Sequence, residues 1–403
     1  MKKNKINNED DIKILKEKVY RIIDKIKPVN ENTRADSNFL FKAQKTEASK
    51  ILPPHYLVYF FLVNLLGFKN LGKWEKIAWS IPIDYNGEAY LIEYRKFGLG
   101  IFAKDAKKQE KEAYKIAKLI CKGIKTAQPY FEYLANNAIE TSNINVINKS
   151  YKLYERFSYF LKEYEKNSQK LKRLKDKLPK KLSIKKTPTK NKTYNDLDFN
   201  ELYLANKKAE TLAIATIDSF FSWTEHIFIH LAILTGKSIT GSDVKTLINL
   251  DWKDKYKKIF STKNNMDNYY LCKLTTIKEQ IRNYSTHGAF GKKGEAFSFH
   301  SEAGAVPVFL QNTYSSNLTF ALERKDFEFV DSEAIDIIKL FIKYLWTDKY
   351  KIAKLYIQDT DLPLILTLAK NNIYNTALKS NKNMKGLIKS LYYEFDTAAN
   401  MDW

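Results

Sequence analysis

Hydrophobic positions along this chain recur mostly with helical spacing. Ile12, Leu15, Val19, Ile22, Ile23 and Ile26 lie three or four residues apart, which places them on one face of a helix. Residues 1–38 therefore read as a polar arm carrying one amphipathic helix. Pro53 and Pro54 open a second helix, and its apolar run at 56–68 is too short to span a bilayer, so it predicts a buried helix. The period then changes. Two β-rich runs, 81–85 and 88–93, flank Asn86-Gly87, a strong short hairpin signal because both residues tolerate positive φ. A further strand is expected at 99–103. Helical spacing returns over roughly 106–137 and 147–178.

The second half continues in the same style. A long helix is expected near 203–235, short helices near 242–250 and 251–261, and another helix over 269–287 that Gly288 closes. A glycine-rich, β-like stretch follows from 288 to about 331, then an amphipathic helix over 333–346 and a helical tail. No internal repeat is visible. The predicted fold is mainly α, with an N-terminal α+β domain that contains a small β-hairpin or sheet and long helices. Its expected organisation is an arm (1–38), an α+β domain of unassigned role that would sense a trigger or position substrate (39–165), a basic linker (166–195), a helical domain (196–350) and the tail (351–403).

Charge narrows the partners. The formal net charge is +22, supplied almost entirely by lysine, which favours a polyanion and RNA or DNA first of all. Between positions 166 and 192 twelve Lys or Arg face one acid. Lys172, Arg173, Lys175, Lys180 and Lys181 are its candidate contacts to a nucleic-acid backbone; a solvated charge run is the plainer alternative. The aromatics just before it, Tyr151, Tyr154, Phe157, Tyr159 and Phe160, have helical spacing and read as core more than as base-stacking platforms. Cys121 and Cys272 are isolated, so neither a disulfide framework nor zinc spacing is present. No metal and no cofactor is expected. Without an apolar leader near Met1 or a long apolar helix, a cytoplasmic protein with no membrane partner is the expectation.

The chain has seven arginines and five histidines, and one of each frames the hexapeptide Arg282-Asn283-Tyr284-Ser285-Thr286-His287. Leu274, Ile277, Ile281 and Tyr284 share one helical face, and Asn283 and His287 lie on the opposite one with Arg282 at its edge. A guanidinium grips phosphate in a fixed fork, and a histidine at a helix C-terminus gains up to about 2 kcal/mol as a cation. The alternative is a capping histidine beside a surface arginine. A second polar set, Asp218, Ser222 and Glu225, recurs at i, i+4 and i+7 on the otherwise apolar helix from 212 to 234, with His226 and His230 beside it. Buried polar groups are costly unless partnered, so these residues are accessory site candidates or simply the wet face of that helix.

Arg282-Asn283 followed by His287, after a helix carrying Phe220-Phe221-Ser222-Trp223-Thr224-Glu225-His226, resembles the R-x4–6-H signature of the HEPN superfamily over roughly residues 196–350. The resemblance implies a HEPN-type helical bundle in the C-terminal half and a metal-independent endoribonuclease of the phage-defence (abortive-infection) or toxin kind. It implies Arg282 and His287 as catalytic residues, with Asn283 orienting them or the phosphate. It also implies a homodimer in which two motifs form one cleft, and a restraining antitoxin or phage-derived trigger. The β-like stretch after Gly288 is longer than a minimal loop of that family. Two other readings stay open: a non-catalytic HEPN RNA-binding or regulatory module, and a Mg²⁺-dependent nuclease using Asp84 and Glu93 on adjacent strands, where Arg95 stands in place of a lysine.

Overall fold

The computed structural model describes residue 6 and residues 8–177, 196–286, 298–301, 304–311, 319–321, 331–347 and 350–403. In the helix ending at Thr286, side chains are described as far as Glu279. The described residues are mostly helical, with a five-stranded antiparallel sheet in the N-terminal part. They fall into two compact units, Met1–Asn143 with Leu387–Trp403, and Ile144–Gly386.

The first unit runs α1 (Glu9–Ile22), β1 (Ile26–Pro28), α2 (Phe39–Lys42), β2 (Gln44–Lys45), α3 (His55–Tyr59), β3 (Ile77–Tyr85), β4 (Glu88–Arg95), β5 (Gly98–Ala103), α4 (Glu110–Thr126) and α5 (Gln128–Thr141). A π-helical turn, Phe60–Leu65, extends α3. The sheet order is β1-β3-β4-β5-β2. Its central hairpin closes at Asn86 (φ 55) and Gly87 (φ 81), the pair of positive φ angles that a two-residue turn of this twist demands. Ile81, Ile83 and Ile92 from the sheet and Ile116, Ala117 and Ile120 from α4 are fully buried together. A Cβ on Gly123 would meet the Phe61 ring at 2.4 Å, so this close helix approach requires glycine. Residues 1–38 are not a separate arm. Val19, Ile23 and Ile26 are fully buried in this core, and Ile26 pairs with Tyr85, because the helix's apolar face needs a surface to cover.

The second unit comprises β6 (Asn145–Val146), α6 (Ser150–Lys177), α7 (Asp196–Leu234), α8 (Gly241–Asn249), α9 (Trp252–Ile259), α10 (Asn265–Thr286), β7 (Ser298–Ser301), β8 (Gly304–Gln311), β9 (Thr319–Ala321), α11 (Asp331–Leu345), α12 (Lys351–Ile357), β10 (Leu364–Ile365), α13 (Leu366–Lys370) and α14 (Ile373–Ala377). The closing helix α15 (Asn381–Asn400) has its residues from Leu387 on in the first unit. Helices α6 and α7 form an antiparallel pair: Lys149 meets His226, Phe157 stacks on Trp223 and Lys170 pairs with Glu201. Around α7 packs an aromatic core of Phe220, Phe228, Trp252, Tyr256 and Phe341, all nearly inaccessible and joined by ring contacts at 5.5–6.0 Å.

The unit boundary differs from the expected domain boundary. Residues 144–165 fold with the second unit, not with the β-sheet, because Tyr154 and Phe157 find their complement in Trp223 and Phe220 of α7. The expected basic linker begins inside α6, whose last residue is Lys177; 178–195 lie outside the described residues. The tail is not appended to the rest. Its strand β10 pairs with β6, and Tyr356 and Tyr374 are buried.

Candidate functional site

Helix α10 carries Arg282 and Asn283, and its last residue, Thr286, precedes His287 in the sequence. Leu274 and Ile277 are buried at 0% and 1% exposure, as expected; the side chains of Ile281 and Tyr284, the other two positions of that face, lie outside the described residues. Lys278, one position on, holds its amine 5.7 Å from the Phe221 ring centre and 5.6 Å from that of Trp252, a cation–π arrangement. Nearer the start of α10, the Asp267 carbonyl accepts from the hydroxyl of Tyr256, whose ring abuts Phe228. Contacts thus advance along α10 as they retreat along α7, and the two helices are antiparallel. Arg282 and Asn283 lie one turn beyond Lys278 on the same helix. Their side chains, and His287 as a whole, lie outside the described residues.

The polar stripe of α7 divides among partners. Asp218 is exposed. Ser222 accepts from Nη2 of Arg156 on α6 at 3.0 Å. Glu225 pairs with Lys255 of α9, whose side chain is only 2% exposed against 41% for the carboxylate. A buried ammonium without its counter-charge would be strongly destabilising, so Glu225 is committed to holding Lys255. Composition did not single out Lys255 or Arg156. A signal existed for Lys255, which falls within the apolar face of α9 defined by Trp252, Tyr256 and Ile259. Arg156 is one of only seven arginines, but its partner is set by the packing of α6 on α7.

His226 and His230 lie in tilted contact, 4.1 Å between ring centres. Nε2 of His226 accepts from the Lys149 amide at 2.9 Å, and Nδ1 of His230 lies 2.9 Å from the His226 carbonyl. Burial, with a smaller contribution from His230, pushes the His226 imidazole down to about 3. Burial pushes His230 down to about 4. Both are neutral elements of the α6–α7 junction, not proton carriers near neutral pH.

Lys172, Arg173 and Lys175 are exposed on the last turns of α6; Lys180 and Lys181 lie outside the described residues. Of the five α6 aromatics, Phe157 is core, whereas Tyr151 and Tyr159 are 55% and 62% exposed. Expecting all five mainly as core was therefore correct only in part: the helix shows more than one face.

The reading of Asp84 and Glu93 as a Mg²⁺ pair is overturned by the sheet register. Glu93 stands opposite Ser80 and Asp84 opposite Ala89, so the two are separated by four strand positions, roughly 13 Å. Each carboxylate is also occupied. Asp84 accepts from Thr33 Oγ1 at 2.6 Å and from the Gly87 amide at 2.9 Å. Glu93 accepts from Ser80 Oγ at 2.6 Å and from Arg95 Nε at 2.7 Å. They stabilise the hairpin. Among the described residues no group of three or more His, Cys, Asp or Glu could hold a metal ion.

No protein-family model, no curated protein and no solved structure matches this chain. No helix among the described residues is long and apolar enough to cross a membrane.

Proposed function

We propose that the chain is a HEPN-type endoribonuclease that cleaves RNA without a metal, with Arg282 and His287 at the reacting phosphate and Asn283 orienting them. The observation that supports the proposal is the phase of α10: Leu274 and Ile277 are consumed by the core, and a helical period continued from them would set Asn283 and His287 on the opposite face, available to another surface. Arg282 would hold the non-bridging phosphate oxygens, while His287 would move the proton of the attacking 2′-hydroxyl or of the leaving 5′-oxygen. One histidine does not readily serve both transfers in a single step, so two copies of the chain across a two-fold axis would complete the site. A role in phage defence or as a toxin, held in check by an antitoxin or trigger in the cytoplasm, follows from the family resemblance alone.

The deciding experiment is cleavage of single-stranded and structured RNA in EDTA. Wild type should yield 2′,3′-cyclic phosphate ends, and Arg282→Ala and His287→Ala should each lose at least about 100-fold, the usual scale of a lost acid–base or oxyanion-type contact. Equal activity in wild type and His287→Ala would sink the enzyme. The exposed basic end of α6 then favours the second reading, a non-catalytic RNA-binding module.

A further inference from the structure

On the second unit an open cleft of about 600 Å³ lies between α6, α11 and α12, lined by Tyr151, Tyr154, Lys343, Trp346, Lys354 and Asp359 among others. Its size suits an organic ligand of a few hundred daltons. Three features of its walls bear on what occupies it. The first is flat aromatic surface. Tyr151 is 55% exposed, and Tyr154 and Trp346 are half-buried. Both of the latter rest against the fully buried Trp223, with ring centres at 5.0 and 6.4 Å. Trp223 is itself fixed by its Nε1, which donates to Gln358 Oε1 at 3.0 Å. The faces of Tyr154 and Trp346 are therefore set in place before any ligand arrives, which lowers the cost of binding.

The second feature is positive charge. Lys339, one turn before Lys343, is spent on Glu165 and Asp336, but among the described residues no carboxylate forms an ion pair with Lys343 or Lys354. The third is Asp359, an exposed carboxylate at the same rim, able to accept from an amino-bearing edge. Stacking faces, ammonium groups without an ion pair among the described residues, and carboxylate acceptors at Asp359 and at Glu155, which takes the Tyr151 hydroxyl, are together what an unpaired nucleobase with its flanking phosphate requires. From the cleft, α6 continues past the exposed Tyr159 to Lys172, Arg173 and Lys175, so a strand leaving the cleft would meet further cations.

We infer that this cleft binds an unpaired base of single-stranded RNA by stacking on Tyr151 and Trp346, with Lys343 and Lys354 on the adjoining phosphates. The inference rests on RNA being the partner but not on cleavage, and its test separates the two. The probe is a fluorescein-labelled 2′-O-methyl oligoribonucleotide of about ten residues, which lacks the attacking hydroxyl, titrated into the full chain and read by anisotropy. Tyr151→Ala and Lys343→Glu should each weaken binding by roughly tenfold. Lys245→Glu, the same charge reversal at an exposed site on α8, should change it less than about threefold. Tryptophan emission should be quenched by the oligomer in wild type and much less so in Trp346→Phe.

Cleft variants that bind like wild type, or a Lys245→Glu loss equal to that of Lys343→Glu, would overturn the inference. So would displacement of the oligomer by an equal concentration of a nucleoside monophosphate, which would assign the cleft to a free nucleotide. An intact binding pattern without cleavage of ordinary RNA would sink the ribonuclease and leave the cleft standing.

Discussion

At the scale of single residues, burial decides which polar groups are available for chemistry. Glu225, Ser222, Asp84 and Glu93 all have partners that explain them, and each ties one backbone element to another. The adjoining histidines His226 and His230 carry a testable consequence. A neutral buried imidazole has its folded value below its unfolded one, so at acid pH the unfolded state binds more protons. The stability it contributes is complete above the ordinary histidine value, near 6.5, and is lost as pH falls toward the folded values of about 3 and 4 for His226 and His230. Urea midpoints measured at pH 7 and pH 5 should therefore fall further in wild type than in His226→Gln, whose amide oxygen can still accept from Lys149. An equal fall in both proteins would remove His226 as a source of the acid sensitivity.

At the scale of elements, α6 joins several tasks. Its Phe157 face packs on α7, Arg156 reaches Ser222, Tyr151 and Tyr154 line the cleft, and its end presents Lys172, Arg173 and Lys175 to solvent. Replacing those three by glutamine should weaken binding of the same 2′-O-methyl oligomer. The slope of log K against log salt should fall in magnitude by about 2, from roughly 0.7 per phosphate contact on single strands. An unchanged slope would make the run an ordinary solvated surface. Helix α10 was legible in sequence because its apolar period is unbroken. The exposure of Tyr151 and Tyr159 was not, since helical spacing gives a residue's angle about its axis but not which angles a neighbouring helix covers.

At the scale of the whole molecule, the ribonuclease reading requires a second copy of the motif, and one chain has only one. Light scattering should give twice the mass of a single chain, and cleavage should fall more steeply than linearly on dilution below the dimer's dissociation range. A monomer with undiminished specific activity would require a single-chain mechanism. The expected domains also met their limit at this scale. The end of the β-rich part was placed near residue 165, whereas the compact unit ends at Asn143; the polar, basic stretch is a salient feature of composition, but the aromatic complement between α6 and α7 decides where the core closes.

What local sequence settled was the set of features that depend on near neighbours: the Asn86-Gly87 hairpin, the short strand after it, the helical periods of α7 and α10 and the phase that buries Leu274 and Ile277. These follow from φ preferences and from a period of 3.6 residues, both properties of a few adjacent positions. Tertiary structure alone decided that α1 belongs to the first core, that Glu225 is bound to a buried lysine 30 positions away, that Asp84 and Glu93 stand apart, and that Tyr151, Trp346 and Lys354 face one cleft. Each of these is a meeting between segments distant in the chain, and no local period carries the information about which surfaces will meet.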